Sequence, residues 1–423
     1  MSRIVFATFG SLGDLHPVIA IALEMRRRGH RIEIATNETY REKLAALDLP
    51  FHSLRPDLFA AGEHVITEIM EGHRGTERLM RERMFPAVRD MYADLLPLIE
   101  GADLLVASEL VYAAPLLAEK HGVRWVGFSF APVSLFSERD PPFLPLPPAV
   151  RWLQHLGPWV PRTIKRLARL ISQSWCGPVR EFRHELGLGE GGHPLFEGKF
   201  SPDLYLALFS PVLQAPQTDW PPQIVQTGFC FFDEASEAVP LPRSVADFLA
   251  AGDPPLVFTL GSAAVYVAGE FYAESARAAQ KLGRRALLLL GKNQPPPNLP
   301  STILSWDYLP YTQIFPLAAV IVHQGGVGTT AQALRAGRPM LIVPFAHDQF
   351  DNAARVVRLG AGRTLSRSRY RATAVASELN GLLSEAHYAR AALDVAQKVR
   401  AENGVARAAE ALERQLGRPV QAR

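Results

Sequence analysis

The stretch His323-Gln324-Gly325-Gly326-Val327-Gly328-Thr329-Thr330 carries the residues of this sequence best suited to holding an anion. The apolar, β-branched run Ala319-Val320-Ile321-Val322 before it predicts a buried parallel strand. Residues 330–336 after it predict a helix stopped by Gly337. A strand, a glycine turn and a helix start aim backbone N–H groups and a helix dipole at one point, where a diphosphate binds well. A tight turn with no ligand has the same composition, so the glycines alone leave both readings open. Asp14 ends the first strand-to-helix turn, Gly10-Ser11-Leu12-Gly13-Asp14. A carboxylate there can take a proton from an acceptor hydroxyl or complement a helix dipole. Ser11, close to Gly13, and Ser262, after Gly261, occupy matching turns; each hydroxyl can donate to a phosphate oxygen or cap a helix. Tyr308, ahead of Leu309-Pro310, offers a face for a nucleotide base, a stacking contact worth about 1–3 kcal/mol. Asp348-Gln349 sets a carboxylate beside an amide at a strand end, a pair suited to a hydroxyl-rich ligand.

Alternating strands and helices must position these groups. Residues 4–9, 31–35, 104–107, 125–128 and 203–209 read as strands, with helices through 18–23 and 113–120 between them. The pattern restarts at 256–260 and continues through 286–290, 303–310, 319–322 and 340–343. It predicts an α/β protein with parallel, doubly wound sheets. The first turn lacks Gly-x-Gly-x-x-Gly, which argues against a dinucleotide cofactor. Proline-rich residues 140–148 interrupt the first half. Phe136, Phe143, Leu144 and Trp152 gather around them, with Trp159, as a pocket for an apolar acceptor would require. The basic, amphipathic residues 164–171 suit either an anionic membrane surface or a solvated face over a core stripe.

At 423 residues the chain exceeds one core, so two domains are expected. Residues 1–215 are read as the first, 216–240 as a proline-rich linker and 241–423 as the second, the last helix crossing back to the first. A net charge of +3 gives no argument for nucleic acid binding. Cys176 and Cys230 make no disulfide framework, and no apolar run reaches the ~20 residues of a membrane span. The expectation is a cytoplasmic protein, with peripheral contact at the inner membrane face as a further option.

Taken together, Gly10 to Asp14, Thr259-Leu260-Gly261-Ser262, Tyr308-Leu309-Pro310, His323 to Thr330, Gly337-Arg338-Pro339 and Asp348-Gln349 with Asn352 resemble the nucleotide-sugar-dependent glycosyltransferases of family 1. Within that family, Pro216 to Pro221, Thr227-Gly228-Phe229 and His347 to Asn352 are similar to the bacterial rhamnosyltransferase subunit of rhamnolipid synthesis. Sterol and macrolide glycosyltransferases share the broader pattern. The resemblance implies the GT-B fold, two Rossmann-like doubly wound parallel-sheet domains facing across a cleft. It implies a UDP- or dTDP-sugar donor whose base meets Tyr308 and the main chain at Leu309. The diphosphate would meet Ser11, Gly13, Ser262, His323, Gln324, Gly325, Gly326, Gly328, Thr329 and Thr330, with His323 facing the strand's packing as the alternative to a phosphate contact, and the sugar would meet Asp348 and Gln349. Asp14 would be the general base in an inverting transfer of a glucosyl or rhamnosyl unit to an apolar hydroxylated acceptor (lipid, polyketide, sterol or phenolic), without cofactor or metal. Many bacterial members carry two histidines before the glycines; here the second is Gln324. An inactive partner subunit, which that exchange would suit, and a sugar-nucleotide epimerase are the alternatives.

Overall fold

Continuous apolar runs, rather than alternating ones, form the strands, because each strand is covered on both faces. The structure, a computed structural model, describes residues 1–72, 74–144, 159–233 and 240–417. The chain divides into two compact units, Met1–Ile69 with His73–Phe231 and Asn403–Arg423, and Met70–Gly72 with Phe232–Glu402.

The first unit holds β1 (Arg3–Ala7), β2 (Arg31–Thr36), β3 (Phe51–Ser53), β4 (Leu104–Ser108), β5 (Trp125–Ser129), β6 (Tyr205–Ala207) and β7 (Ile224–Gln226). Its seven strands run in the order β3-β2-β1-β4-β5-β6-β7, and all the pairings are parallel. Ile4, Val5, Phe6 and Ala7 of β1 and Leu104 and Leu105 of β4 are fully buried at its centre. Part of the stretch expected as linker is therefore sheet: Tyr205 pairs with Ile224 and Ala207 with Gln226. Helix α1 (Leu12–Arg27) starts earlier than the apolar pattern suggests. Pro17 thus lies in its second turn, where it omits the bond its amide would make to Gly13. Helix α2 (Ala113–His121) stops at Gly122 in a left-handed conformation. Helix α3 is Trp159–Gln173.

The second unit holds β8 (Leu256–Thr259), β9 (Ala286–Leu289), β10 (Ile303–Trp306), β11 (Val320–His323), β12 (Met340–Ile342) and β13 (Gly362–Thr364). They form a parallel sheet of order β10-β9-β8-β11-β12-β13. Helix α4 (Val327–Ala336) follows β11, and α5 (Gln349–Arg358) follows β12. The last helix, α6 (Gly404–Leu416), belongs to the first unit. A Cβ on Gly404 would overlap the carbonyl of Phe229, and Arg28 of α1 reaches Glu413 at 2.6 Å.

Each sheet reverses its winding once, between β1 and β4 in the first unit and between β8 and β11 in the second. Open α/β sheets bind ligands outside the carboxyl ends of the strands at such a switch point. Asp14 follows β1, Glu109 follows β4, Gly261-Ser262 follows β8 and Gln324 follows β11, so both switch points carry residues with chemistry.

Candidate functional site

In the second unit, β11 ends at His323 and α4 begins at Val327, with Gln324-Gly325-Gly326 as the turn. Gly325 has φ +93°, and a Cβ there would come 2.8 Å from Ile342 Cγ2 and 3.0 Å from the Gln349 carbonyl. Only glycine fits that backbone and that space. Asn352 Nδ2 donates to the Gly325 carbonyl at 2.9 Å and to Asp348 Oδ2 at 2.7 Å. The same Asp348 oxygen accepts from the Val327 amide at 3.2 Å, so this carboxylate sits at the positive end of α4. Thr330 N–H already bonds the Gly326 carbonyl at 2.9 Å. With the Val327 N–H on Asp348, Gly328 and Thr329 carry the other first-turn amides, which helix geometry leaves without an intrahelical acceptor.

Gln324 occupies the switch point itself. Its amide lies where a Cβ on Gly261 would overlap it and where one on Gly326 would come within 2.9 Å. Gln324 Nε2 stands 3.5 Å from Thr329 Oγ1, while its buried Oε1 has no protein partner. On the β8 side, Gly261 has φ +65° and donates its N–H to Thr259 Oγ1 at 3.3 Å. Thr259 in turn meets the Tyr311 hydroxyl at 2.8 Å, and Tyr311 stacks on Phe315 with centroids 4.3 Å apart. Ser262, half-buried, follows that fixed turn. Tyr308, after the edge strand β10, is 59% exposed, a face open to stacking, whereas the Leu309 side chain is buried and leaves only main chain.

Some expected contacts need correction. His323 is fully buried, and its Nδ1 accepts from the Gly325 amide at 3.1 Å. Burial pushes its pKa down to about 3, so it stays neutral and shapes the turn rather than gripping a diphosphate. The same bond occupies the Gly325 N–H. Thr330 is fully buried and its hydroxyl faces the interior. Gln349 is buried, and its Oε1 accepts from the Phe345 and Ala346 amides at 2.8 and 3.1 Å, so that oxygen serves the loop and not a sugar.

In the first unit, Asp14 folds back over the turn before it. Its Oδ2 accepts from the Ser11 amide at 2.7 Å and from the Ser11 hydroxyl at 3.1 Å. Ser11 is thus an orienting partner of the carboxylate, not the phosphate ligand expected. Gly10, at φ +118°, leaves the space that the carboxylate fills. Burial raises the Asp14 pKa to about 6, against the lowering pull of the two Ser11 bonds and with a further rise from the negative charge of Glu109. A carboxyl titrating there is ionised near neutral pH and still basic enough to accept a proton. Gly13 lies in the first turn of α1.

Sequence reasoning missed what surrounds Glu109. Lys199 Nζ pairs with Glu109 Oε2 at 2.7 Å and donates to the Ser134 carbonyl at 2.6 Å, while the Ser134 hydroxyl also bonds Glu109. Glu109 and Lys199 help line a cavity of about 720 Å³ with Tyr112, Leu116, Val179 and Phe200. Phe136, Phe143 and Leu144 are half-buried, and Phe136 packs edge-on against Phe196 at 5.9 Å. Trp152 lies outside the described residues. Among the described residues, no group of three or more His, Cys, Asp or Glu side chains could hold a metal ion.

The model of the glycosyltransferase family 28 N-terminal domain matches residues 4–126, and that of the erythromycin biosynthesis protein CIII-like C-terminal domain matches residues 289–414. The O-mycaminosyltylonolide 6-deoxyallosyltransferase of Streptomyces fradiae is 31% identical, over 97% of this chain and 97% of its own. Among solved structures, the spinosyn forosaminyltransferase superposes with a TM-score of 0.71 at 18% identity, over 99% of this chain and 100% of its own. The spinosyn rhamnosyltransferase complexed with thymidine diphosphate does so with a TM-score of 0.66 at 17% identity, over 99% and 100%. With two parallel-sheet α/β units and a relative of this identity along its length, the chain belongs to the family 1 glycosyltransferases and has their GT-B fold.

Proposed function

We propose that this glycosyltransferase moves a 6-deoxyhexosyl unit from a dTDP-sugar to a hydroxyl of an apolar acceptor, with inversion and with Asp14 as the base. The observation that carries the reading is Asp14 itself: a carboxyl oriented by Ser11, held at a switch point and titrating near pH 6. It would take the acceptor proton as the hydroxyl attacks the anomeric carbon and the nucleoside diphosphate departs. The leaving diphosphate would be met by the Gly328 and Thr329 amides and the dipole of α4, which need no rearrangement as charge develops. The Gln324 amide would supply a neutral donor to that diphosphate, its Nε2 standing beside Thr329 Oγ1 at the turn. Tyr308 would stack the base and Asp348 would accept from the sugar. The choice of a 6-deoxyhexose on dTDP is supported by the name of the 31%-identical relative and by the thymidine diphosphate in the rhamnosyltransferase structure. UDP-glucose, the donor common in the wider family, is the competing choice.

A thermal-shift panel of UDP-, dTDP- and GDP-sugars tests the donor, because a ligand bound only by the folded state raises its stability by RT ln(1 + [L]/Kd). A dTDP-6-deoxyhexose should give the largest shift, and Tyr308→Ala should reduce it. A larger shift with UDP-glucose would reassign the donor.

A further inference from the structure

Helix α3 carries two apolar faces, and only one of them is used by the fold. At about 100° per residue, Val160, Pro161 and Ser172 fall on the buried side, with Ile164 and Ala168 half-buried between them. A second apolar stripe spans about 120° of the helix surface beside that core face. It is formed by Trp159, Leu167, Leu170 and Ile171, which are 58%, 53%, 70% and 63% exposed, with the exposed Thr163 among them. The remaining arc, about 100° wide, is cationic and carries Arg162, Lys165, Arg166 and Arg169. Arg162 pairs with the half-buried Glu138 at 3.0 Å and Arg169 with the exposed Glu197 at 2.7 Å. Lys165 and Arg166 make no ion pair among the described residues.

A core helix that simply turns a polar face to water shows one apolar stripe. Here large apolar side chains stand in solvent with a row of cations along their edge. That combination matches a helix lying in a bilayer interface, its apolar stripe in the acyl boundary and its cations among anionic headgroups. No helix among the described residues is long and apolar enough to cross a membrane, so the contact is one of lying on the surface.

We propose that α3 is a membrane-surface anchor, its Trp159–Leu167–Leu170–Ile171 stripe inserting into an anionic lipid leaflet beside the Arg162–Arg169 row. The anchor does not depend on which sugar or acceptor the enzyme uses.

Co-sedimentation of the full-length protein with vesicles tests it, comparing phosphatidylcholine alone with phosphatidylcholine containing about a quarter phosphatidylglycerol. The wild-type protein should pellet with the mixed vesicles and be released by salt. The variant Leu167→Glu/Leu170→Glu/Ile171→Glu should lose at least about tenfold in partitioning. Because those side chains are exposed, its melting temperature should stay that of the wild type. Lys165→Glu/Arg166→Glu should lose about fivefold or more per charge removed. Wild-type protein that stays in the supernatant at low salt, or a triple variant that pellets as well as the wild type, would overturn the proposal. So would binding indifferent to lipid charge, or a lipid-free dimer that the triple variant abolishes, since that would make the stripe a contact between copies.

Discussion

At the residue scale the chemistry turns on one carboxyl and the charges around it. Burial holds Asp14 near pH 6, above the usual 3.8 of an aspartate, so folding favours its protonated form. The sign follows directly: the folded state is relatively most stable below pH 4 in this group, loses that stability as pH rises through about 6, and is level above it. Asp14→Asn keeps an oxygen to accept from Ser11 but no longer ionises. It should therefore raise stability at pH 7.5 by roughly 1–3 kcal/mol, with the gain fading toward pH 4, as urea denaturation at the two pH values would show. Lys199 acts on the same group through Glu109. Lys199→Met leaves the Glu109 carboxylate without its cation, and the added repulsion should move the acid limb of kcat/KM up by about half to one pH unit. Lys199→Arg should keep the wild-type profile, and an unmoved limb in Lys199→Met would detach Glu109 from the base. Asp14 could be picked out in the sequence because it closes a short strand-to-helix turn. Lys199 and Ser134 could not, since they meet Glu109 only through the fold, 90 and 25 residues away in the chain.

At the scale of elements, the second-unit cradle works because glycines leave room for one amide. Gly261→Ala would force a side chain into a left-handed backbone and onto the Gln324 amide, and should cost about 1–3 kcal/mol. Gln324→Ser removes the overlap but not the backbone strain. The double variant should therefore be less destabilised than the sum of the singles, and a double-mutant cycle by denaturant unfolding measures that coupling. Strict additivity would mean that Gly261 and Gln324 are not packed as described. The strand, turn and helix of this cradle were legible because apolar β-branched runs, glycines and helix formers are local signals. The role of Thr330 was not, because which side of the first helical turn faces the core is set by what packs on it, and that of His323 stayed open, because the direction of a side chain at a strand end is set by the neighbouring strand. His323 lies opposite Ile342 in a sheet covered on both faces, which turns its imidazole inward.

At the scale of the whole molecule, the first unit is completed by the end of the chain. Leu412 of α6 is fully buried, whereas Glu413 pairs with Arg28 while remaining over a third exposed. Leu412→Ala should cost about 2–4 kcal/mol of stability, and Glu413→Ala no more than about 1, because an exposed ion pair is screened by water. Thermal unfolding of the two variants would give the reverse order only if α6 were held by charge rather than by packing. The parallel α/β plan followed from alternating elements along the sequence. The place of β7 did not, because three residues among prolines give too little local pattern, and their pairing with β6 is decided by contacts distant in sequence.

The most direct measurement is transfer by Asp14→Asn with donor and acceptor both saturating, alongside donor binding by the same protein. If Asp14 takes the acceptor proton, turnover should fall by about 10²–10⁴-fold while the thermal shift produced by the donor is retained. Turnover equal to that of the wild type would show that another group, or none, acts as the base.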